Sequence, residues 1–265
     1  MANQQIRITD VHKLFRTGGR EVVALKDINL GIPNGQFVCL LGPSGCGKST
    51  LLNAIAGFSL PTQGSIDCDG KRVRAPGSDR GMVFQEYALF PWMSVADNIA
   101  FGLTIKGMAR REAQAKVAEL LRKLGLADFA NRFPKDLSGG MRQRVAIARV
   151  LALDSPIMLM DEPFGALDAL TRRNLQDELL RIWAEFKKTI IFVTHSIEEA
   201  IYLADRIVVM TYRPGTIKRN MLVELPHPRD PASPEFNVLK RELGALVMAE
   251  QQRHHDEEVR EAAVD

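Results

Sequence analysis

The chain has 265 residues, enough for one large domain or two modest ones, and its hydrophobic fraction of 46% and charged fraction of 25% exclude whole-chain disorder, collagen and coiled coil. The net charge of +3 is too small to indicate nucleic acid as a partner. The three cysteines lack paired metal-ligand spacing, and neither a secretory signal nor an apolar run of ~20 residues is visible, so we expect a cytoplasmic protein.

Short apolar runs and helical periods alternate along the chain. Alternating apolar residues within 1–32 predict antiparallel strands at the start. Further short apolar runs predict buried strands at 36–41, 81–84, 157–160, 189–193 and 206–210. Helical patterns separate these runs, so we expect an α/β fold with a mostly parallel sheet. Residues 86–155, approximately, show helical patterns and little strand signal, which predicts a helical subdomain inserted in the α/β core.

The C-terminal part has a different composition. The segment 226–234 contains four prolines, which mark the end of the core. Behind it, the apolar spacing of 236–247 predicts a short amphipathic helix, and the acidic residues from 250 onward predict a solvated tail. We therefore expect one core domain at 1–225 and, at 226–265, a proline-rich linker, a short helix and an acidic tail.

The strongest motif is GPSGCGKST, which lies between a predicted strand and a predicted helix. It matches the Walker A pattern of phosphate-binding loops. Its glycines let backbone N–H groups curl around phosphates, Lys48 should reach the β- and γ-phosphates, and Ser49 should be a ligand of Mg²⁺. The residues of this loop that we expect to bind ATP are Gly42, Pro43, Ser44, Gly45, Cys46, Gly47, Lys48, Ser49 and Thr50.

A second motif, IMLMDEP at 157–163, is an apolar strand that ends in two acidic residues. Asp161 would hold Mg²⁺ through water, and Glu162 would polarise the water that attacks the γ-phosphate. An apolar run followed by Asp-Glu is weak by itself, because many strands end in an acidic turn. Together with the Walker A motif it indicates phosphoanhydride hydrolysis.

A third motif, LSGGMRQR at 137–144, opens a helical stretch and predicts a second phosphate-binding helix N-terminus. One nucleotide rarely needs two such sites from one subunit. The economical interpretation is that Ser138, Gly139 and Gly140 contact the nucleotide of a partner subunit. The alternative is a serine that caps its own helix behind a glycine-rich entry.

Taken in order, these motifs resemble the ATP-binding cassette subunit of an ABC transporter, over about residues 5–225. The resemblance places Gln85 in the Q-loop, Asp168 in the D-loop and His195 at the switch histidine. It implies that Gln85 is a further Mg²⁺ ligand and ATP contact, that Asp168 faces the ATP of the partner subunit, and that His195 acts with Lys48 and Glu162 in catalysis.

Three positions bear on how closely the chain follows the family pattern. Phe15 stands where an aromatic residue stacks on adenine, and it replaces the commoner tyrosine; base stacking works on any π-face. The family's signature motif reads LSGGM at 137–141 here, so Met141 replaces the commoner glutamine, and Ser196 follows the switch histidine where aspartate is frequent. We expect Met141 to be tolerated, whereas the pattern predicts nothing for Ser196.

Residues 80–103 and 161–172 are more specifically similar to importers of nitrate, taurine and other sulfonates. This resemblance implies a small anion as cargo and a dimer of two copies that sandwich ATP. It also implies an integral membrane permease contacted through Gln85–Trp92, a periplasmic substrate-binding protein, and a peripheral location on the cytoplasmic face of the inner membrane. The alternatives are an ABC exporter, a lipid-transport ATPase, or a soluble ABC ATPase without a transport role.

Overall fold

A computed structural model describes residues 4–17 and 20–262. Its strands are β1 (Gln4–Thr17), β2 (Arg20–Pro33), β3 (Phe37–Leu41), β4 (Gln63–Cys68), β5 (Lys71–Arg72), β6 (Arg80–Val83), β7 (Ile157–Asp161), β8 (Thr189–Thr194), β9 (Arg206–Met210) and β10 (Ile217–Leu222). Its helices are α1 (Lys48–Ala56), α2 (Val95–Ile105), α3 (Arg110–Lys123), α4 (Gly139–Ala152), α5 (Ala169–Phe186), α6 (Ile197–Leu203) and α7 (Pro234–Ala262). Two short 3-10 helices, Ala127–Phe129 and Pro134–Asp136, precede α4.

The described residues form two compact units. The first holds the chain up to Pro76 and again from Thr189, and the second is Gly77–Lys188. In the first unit, β2, β1, β4 and β5 form an antiparallel sheet in that order, which confirms the antiparallel strands predicted at the start. In the same unit β3 pairs in parallel with both β8 and β9, and β10 lies antiparallel to β9.

Strands β3 and β8 are buried along their whole length. Parallel strands that are covered on both faces favour apolar side chains on both faces, which explains the apolar runs 37–41 and 190–193. The buried threonines at the two ends of β8, Thr189 and Thr194, are hydrogen-bonded. In the second unit β6 and β7 also pair in parallel, with Val83 opposite Met160. These parallel pairings, with helices between the strands, confirm the predicted α/β class.

The chain between β6 and β7 is helical wherever it has regular structure. Helices α2 and α3 pack on α4, and Ser94 caps α2 by accepting a hydrogen bond from the Asp97 N–H at 3.1 Å. These helices occupy the stretch for which we predicted a helical subdomain. The limits of that subdomain, at about 86 and 155, stay a prediction.

The C-terminal helix corrects the sequence-based expectation. A short helix and a solvated acidic tail were expected, but α7 has 29 residues and continues through the acidic stretch to Ala262. Phe236, Leu243 and Val247 are buried along it, and Glu250, assigned above to the solvated tail, is only 1% exposed. The residues after 247 are mostly Ala, Glu, Gln and Arg, which favour helix, so the helix need not end where its apolar face ends.

Among the described residues, no helix combines the length and the apolar character needed to cross a bilayer.

Candidate functional site

The Walker A loop leaves the carboxyl end of the buried strand β3 and enters α1 at Lys48. Gly45 and Gly47 have φ angles of 75° and 97°, in the left-handed region that favours glycine. A Cβ on Gly47 would stand 2.9 Å from the carbonyl oxygen of Ala24 and 2.8 Å from Leu25 Cδ2. The loop is therefore held close to β2. As the N-cap, Gly47 offers no side chain to bind the first N–H groups of α1, and an anion can take that place.

The Lys48 ammonium lies inside this loop. The side chain is buried, and Nζ donates hydrogen bonds to the carbonyl oxygens of Gly42 at 2.9 Å and Pro43 at 2.8 Å. Cys46 Sγ is 3.9 Å from Nζ. Burial raises the pKa of the Cys46 thiol, and the neighbouring Lys48 charge offsets part of that rise. The loop thus encloses one fixed positive charge beside a protonated thiol, which suits the binding of phosphate oxygens.

His195 comes from the strand next to this loop. Leu41 at the end of β3 pairs with Thr194 at the end of β8, so Gly42 and His195 leave the same edge of the sheet. Thr194 Oγ1 accepts from the Ser196 N–H at 3.0 Å and donates to Glu199 Oε2 at 2.6 Å. The backbone on both sides of the exposed imidazole is therefore fixed.

Ser196 has a role that the sequence pattern did not predict. Its hydroxyl accepts from the Glu199 N–H at 3.3 Å and caps α6. Serine and aspartate are both good N-caps, so serine can replace aspartate here without loss of the cap.

Phe15 and Ser49 are the other predicted contacts in the first unit. The Phe15 side chain is 40% exposed on β1, opposite Val22, and Lys13 Nζ lies 5.1 Å from the centre of its ring. This exposure leaves a ring face open to solvent and argues against a purely core role. Ser49 is exposed in the first turn of α1, and Thr50 follows it.

In the second unit, Gln85, Asp161 and Glu162 come together at the carboxyl ends of β6 and β7. Asp161 ends β7, and Glu162 follows it with a φ of 42°, a left-handed conformation that is strained for a residue with a side chain. A Cβ on Gly165 would stand 3.9 Å from Gln85 Nε2 and 4.0 Å from Glu162 Oε2. The glycine therefore leaves room for two of the predicted side chains to approach one point.

The signature segment forms the start of α4. Ser138 is the N-cap, and its hydroxyl accepts from the Met141 N–H at 3.3 Å. A Cβ on Gly139 would stand 2.9 Å from Leu167 Cδ2, and a Cβ on Gly140 would stand 2.8 Å from Thr171 Cγ2. A side chain at either position would therefore require Leu167, which precedes Asp168, or Thr171 of α5 to move.

Asp168, in the D-loop, is the N-cap of α5 and accepts from the Thr171 N–H at 2.9 Å. Hydrogen bonds from Thr171 lower the pKa of its carboxyl, which is therefore ionised at neutral pH. Asp168 and Ser138 are both exposed. The two residues that we expect to face a partner subunit thus lie on neighbouring loops of one unit.

The segment Gln85–Trp92 ends in a loop with two aromatic side chains, Phe90 and Trp92, here named the aromatic loop. Trp92 is 71% exposed, and its ring centre lies 5.6 Å from that of Phe90. Phe90 in turn lies 4.6 Å from Phe101 and has the Arg149 guanidinium 4.8 Å from its ring centre. The exposed Trp92 side chain therefore contacts Phe90, which is itself packed against Phe101 and Arg149.

Sequence reasoning missed the residue that holds this loop. Asn98 is completely buried; its amide donates to the carbonyls of Phe90, Met93 and Ser94 at 3.0–3.1 Å and accepts from the Phe90 N–H at 2.9 Å. The available signal was a single asparagine among the apolar residues of 95–103 in the predicted helical subdomain, because a buried asparagine is usually bonded to a backbone group.

Comparisons with known proteins agree with this geometry. A family model described as ABC transporter matches residues 25–165. The chain is similar to the nitrate import ATP-binding protein NrtD of Synechocystis sp., with 47% identity over 237 residues that cover 89% of each chain. It is also similar to the taurine import ATP-binding protein TauB of Rhizobium johnstonii, with 50% identity over 253 residues, 92% of this chain and 94% of that one.

A solved structure gives the same result for the fold. It is the dimeric structure of a post-hydrolysis state of an ATP-binding cassette bound to ADP and Pi, and its chain is 35% identical to this one. The match has a TM-score of 0.73 and covers 83% of this chain and 100% of the other. The chain therefore belongs to the ABC transporter family, in which it is an ATP-binding subunit that hydrolyses ATP.

Proposed function

We propose that this chain is the nucleotide-binding subunit of an importer for a small anion, and that it acts through a separate permease. The cargo class rests on the import proteins for nitrate and taurine, which are 47% and 50% identical to this chain over about nine tenths of its length. The structural observation that carries the permease role is the exposed Trp92 on a loop that Asn98 fixes from within.

In the proposed reaction, the N–H groups of Gly42–Thr50 and the Lys48 ammonium bind the phosphates, while Phe15 stacks on adenine. The Glu162 carboxylate accepts a hydrogen bond from the attacking water and orients that water toward the γ-phosphate. His195 contacts the γ-phosphate and stabilises charge on its oxygens.

Magnesium fits the donor set. Ser49 offers a hydroxyl, Asp161 a carboxylate and Gln85 an amide oxygen, and oxygen ligands are those that Mg²⁺ prefers. When bound, the ion neutralises charge on the phosphates. The side chains of Gln85 and Glu162 both lie beside Gly165. A shift of Gln85 on binding Mg²⁺ would therefore change the surroundings of Glu162, the residue that orients water.

Two copies would complete each other's sites. Ser138, Gly139 and Gly140 of one copy would contact the ATP bound to Gly42–Thr50 of the other, with Asp168 beside them. Support comes from the exposure of Ser138 and Asp168 and from the dimeric state of the similar cassette bound to ADP and Pi. Hydrolysis would then separate the copies, because the γ-phosphate that both contact is lost.

The segment Gln85–Trp92 would pass this motion to the permease. The left-handed backbone at Tyr87 and Ala88 makes a sharp turn after Gln85, and Arg149 Nη1 donates to the Ala88 carbonyl at 2.5 Å. A displacement of Gln85 would therefore move the aromatic loop as a body. The permease would place the subunit on the cytoplasmic face of the inner membrane, and a periplasmic binding protein would deliver the anion.

Growth of a deletion strain tests the cargo. Loss of growth on nitrate, taurine or alkanesulfonates as the sole nitrogen or sulfur source, restored by the wild-type gene, is the expected result. Normal growth on all of them would contradict the cargo and leave the ATPase assignment intact.

Co-purification with the permease tests the coupling surface. Trp92→Ala should spare the ATPase activity of the isolated subunit and weaken its binding to the permease about 30-fold, since an interface tryptophan contributes ≥ ~2 kcal/mol. Val238→Ala, which removes an exposed apolar side chain of α7, is the matched control. Full transport and normal co-purification of Trp92→Ala would refute the coupling role.

A further inference from the structure

A buried carboxylate in α7 is not used by the mechanism above. The Glu250 side chain is 1% exposed, although burying a charge is unfavourable unless it is paired. Lys218 Nζ donates to Glu250 Oε1 at 2.7 Å, and the backbone N–H of Tyr212 donates to Oε2 at 2.9 Å. Burial raises the pKa of the Glu250 carboxyl, but these hydrogen bonds outweigh it and the net pKa is below the ordinary value. Glu250 is therefore a buried anion at neutral pH.

The backbone that Glu250 binds belongs to residues 211–216, here named the brace loop, which connects β9 to β10. Thr211 closes this loop: its Oγ1 accepts from the Thr216 N–H at 2.8 Å and donates to the Pro214 carbonyl at 2.8 Å. The Thr211 N–H donates to the Thr216 carbonyl at 3.0 Å. The His254 ring of α7 also meets the Tyr212 ring edge-on, with centres 4.2 Å apart. Helix α7 thus holds one end of a tightly closed loop.

The other side of the brace loop lies against the Walker A loop. A Cβ on Gly45 would stand 3.8 Å from Tyr212 Cε2 and 3.9 Å from Arg213 Nη2. A Cβ on Gly215 would stand 2.3 Å from the Cys46 carbonyl oxygen, so only glycine fits there. Gly215 also exchanges backbone hydrogen bonds with β2, donating to Ala24 O and accepting from the Lys26 N–H, each at 3.0 Å. The brace loop is therefore in van der Waals contact with the backbone that we propose binds phosphate.

We propose that α7 is a positioning element of the ATP site, in which Glu250 fixes the brace loop against the Walker A loop. Glu250 does not touch nucleotide; it acts through Tyr212. Phosphate binding depends on N–H groups that already point in the bound direction, and a loop that loses its outer wall must be ordered when ATP binds. Loss of Glu250 should therefore weaken ATP binding and leave the chemical step almost unchanged. The inference rests on the proposed role of Gly42–Thr50 in binding ATP.

The test compares the full-length wild type with Glu250→Ala, and with Glu242→Ala as the control from the exposed face of the same helix. Glu250→Ala should raise the Kd for a fluorescent ATP analogue and the KM for ATP about five- to tenfold, with kcat within twofold of wild type. Glu242→Ala should leave all three within twofold. An unchanged Kd and KM in Glu250→Ala, measured well below its melting temperature, would overturn the proposal, even if the variant is less stable.

Two further measurements keep the result decisive. If Glu250→Ala does not fold, Glu250→Gln replaces it; the neutral amide oxygen accepts a weaker hydrogen bond from the Tyr212 N–H than the carboxylate does, so the brace loop is held less firmly and Kd should rise about two- to fourfold. A Kd equal to that of wild type would overturn the proposal. Amide hydrogen exchange at 246–254 should slow in wild type when ATP is added, because coupling between two sites is reciprocal. Exchange rates at 246–254 that are the same with and without ATP would also overturn the proposal.

Lys48→Ala separates this inference from the binding role on which it rests. If Lys48→Ala binds the ATP analogue as tightly as wild type, the proposed nucleotide site itself is wrong. If Lys48→Ala loses binding and Glu250→Ala does not, only the positioning role of α7 fails.

Discussion

The two glycine-rich helix starts of this chain, at Gly42–Lys48 and at Leu137–Met141, look alike in sequence but differ in capping and in charge. The first is capped by a glycine in a left-handed conformation and encloses the Lys48 ammonium. The second is capped by Ser138, whose hydroxyl already binds the Met141 N–H, and its first basic residue, Arg142, has its guanidinium 5.4 Å from the Tyr87 ring centre. We therefore expect the first to bind a polyphosphate by itself, and the second, through the exposed Ser138, to add contacts to a nucleotide that charged groups elsewhere already hold.

The largest expected effect follows from removing the charge that distinguishes the first helix start. Lys48→Ala should lower ATP turnover at least ~100-fold, because a preorganised donor to the phosphates is lost. ATP binding, measured by the rise in melting temperature on adding ATP, should fall with it. Lys106→Ala, a surface lysine that contacts the Leu153 carbonyl, is the control and should behave as wild type. Turnover close to wild type in Lys48→Ala would remove the difference between the two helix starts.

Glu162→Gln should reduce turnover by ~10²–10⁴-fold, the usual contribution of a general base, while ATP binding is retained. The variant should also accumulate as an ATP-bound dimer, because hydrolysis is the step that separates the copies. Single-turnover hydrolysis and size-exclusion chromatography with ATP are the measurements. Single-turnover rates near those of wild type would show that another group orients the water.

That variant sharpens the comparison, because its dimer reports on the second helix start. Adding Ser138→Arg to Glu162→Gln should abolish the ATP-bound dimer and leave the ATP affinity of the monomer nearly intact. Ser138→Ala, the control, should lose ~0.5–2 kcal/mol of stability with the cap and keep most of the dimer. A Ser138→Arg protein that still dimerises with ATP would leave Ser138 as a cap of its own helix and nothing more.

Much of the fold and of both helix starts could be predicted from sequence because the signals are local. A strand that is buried on both faces, a glycine loop and a helix period each lie within about ten residues. The position of His195 beside the Walker A loop depends instead on the pairing of Leu41 with Thr194, residues far apart in the chain. The catalytic roles assigned to His195 and Glu162 stay predictions.

Glu250 and Asn98 show why some polar residues could not be interpreted from sequence. Each is buried and bonds to backbone groups of a loop, Tyr212 for Glu250 and Phe90 for Asn98. Almost every residue has the same backbone N–H and C=O groups, so a side chain that bonds to backbone cannot be recognised from the identity of its partner. Glu250 was therefore assigned to a solvated tail. The acidic composition of the stretch from 250 onward predicts exposure for its residues on average. It cannot show that one of them, Glu250, is buried and binds α7 to the loop at Tyr212.

The smallest expected effect concerns Cys46, the side chain enclosed by the first helix start. Burial raises the pKa of its thiol, so the thiolate fraction at pH 8 is below that of an ordinary cysteine, and the folded loop also blocks access. In the native protein, iodoacetamide at pH 8 should leave the peptide that contains Cys46 almost unmodified, whereas the same treatment in denaturant should modify it fully. Mass spectrometry of the digested protein gives both values. Equal rates of Cys46 modification in the native and denatured protein would mean that the Walker A loop opens readily in solution. The Lys48 ammonium would then not be held in place by the loop, and this difference from the signature segment would disappear.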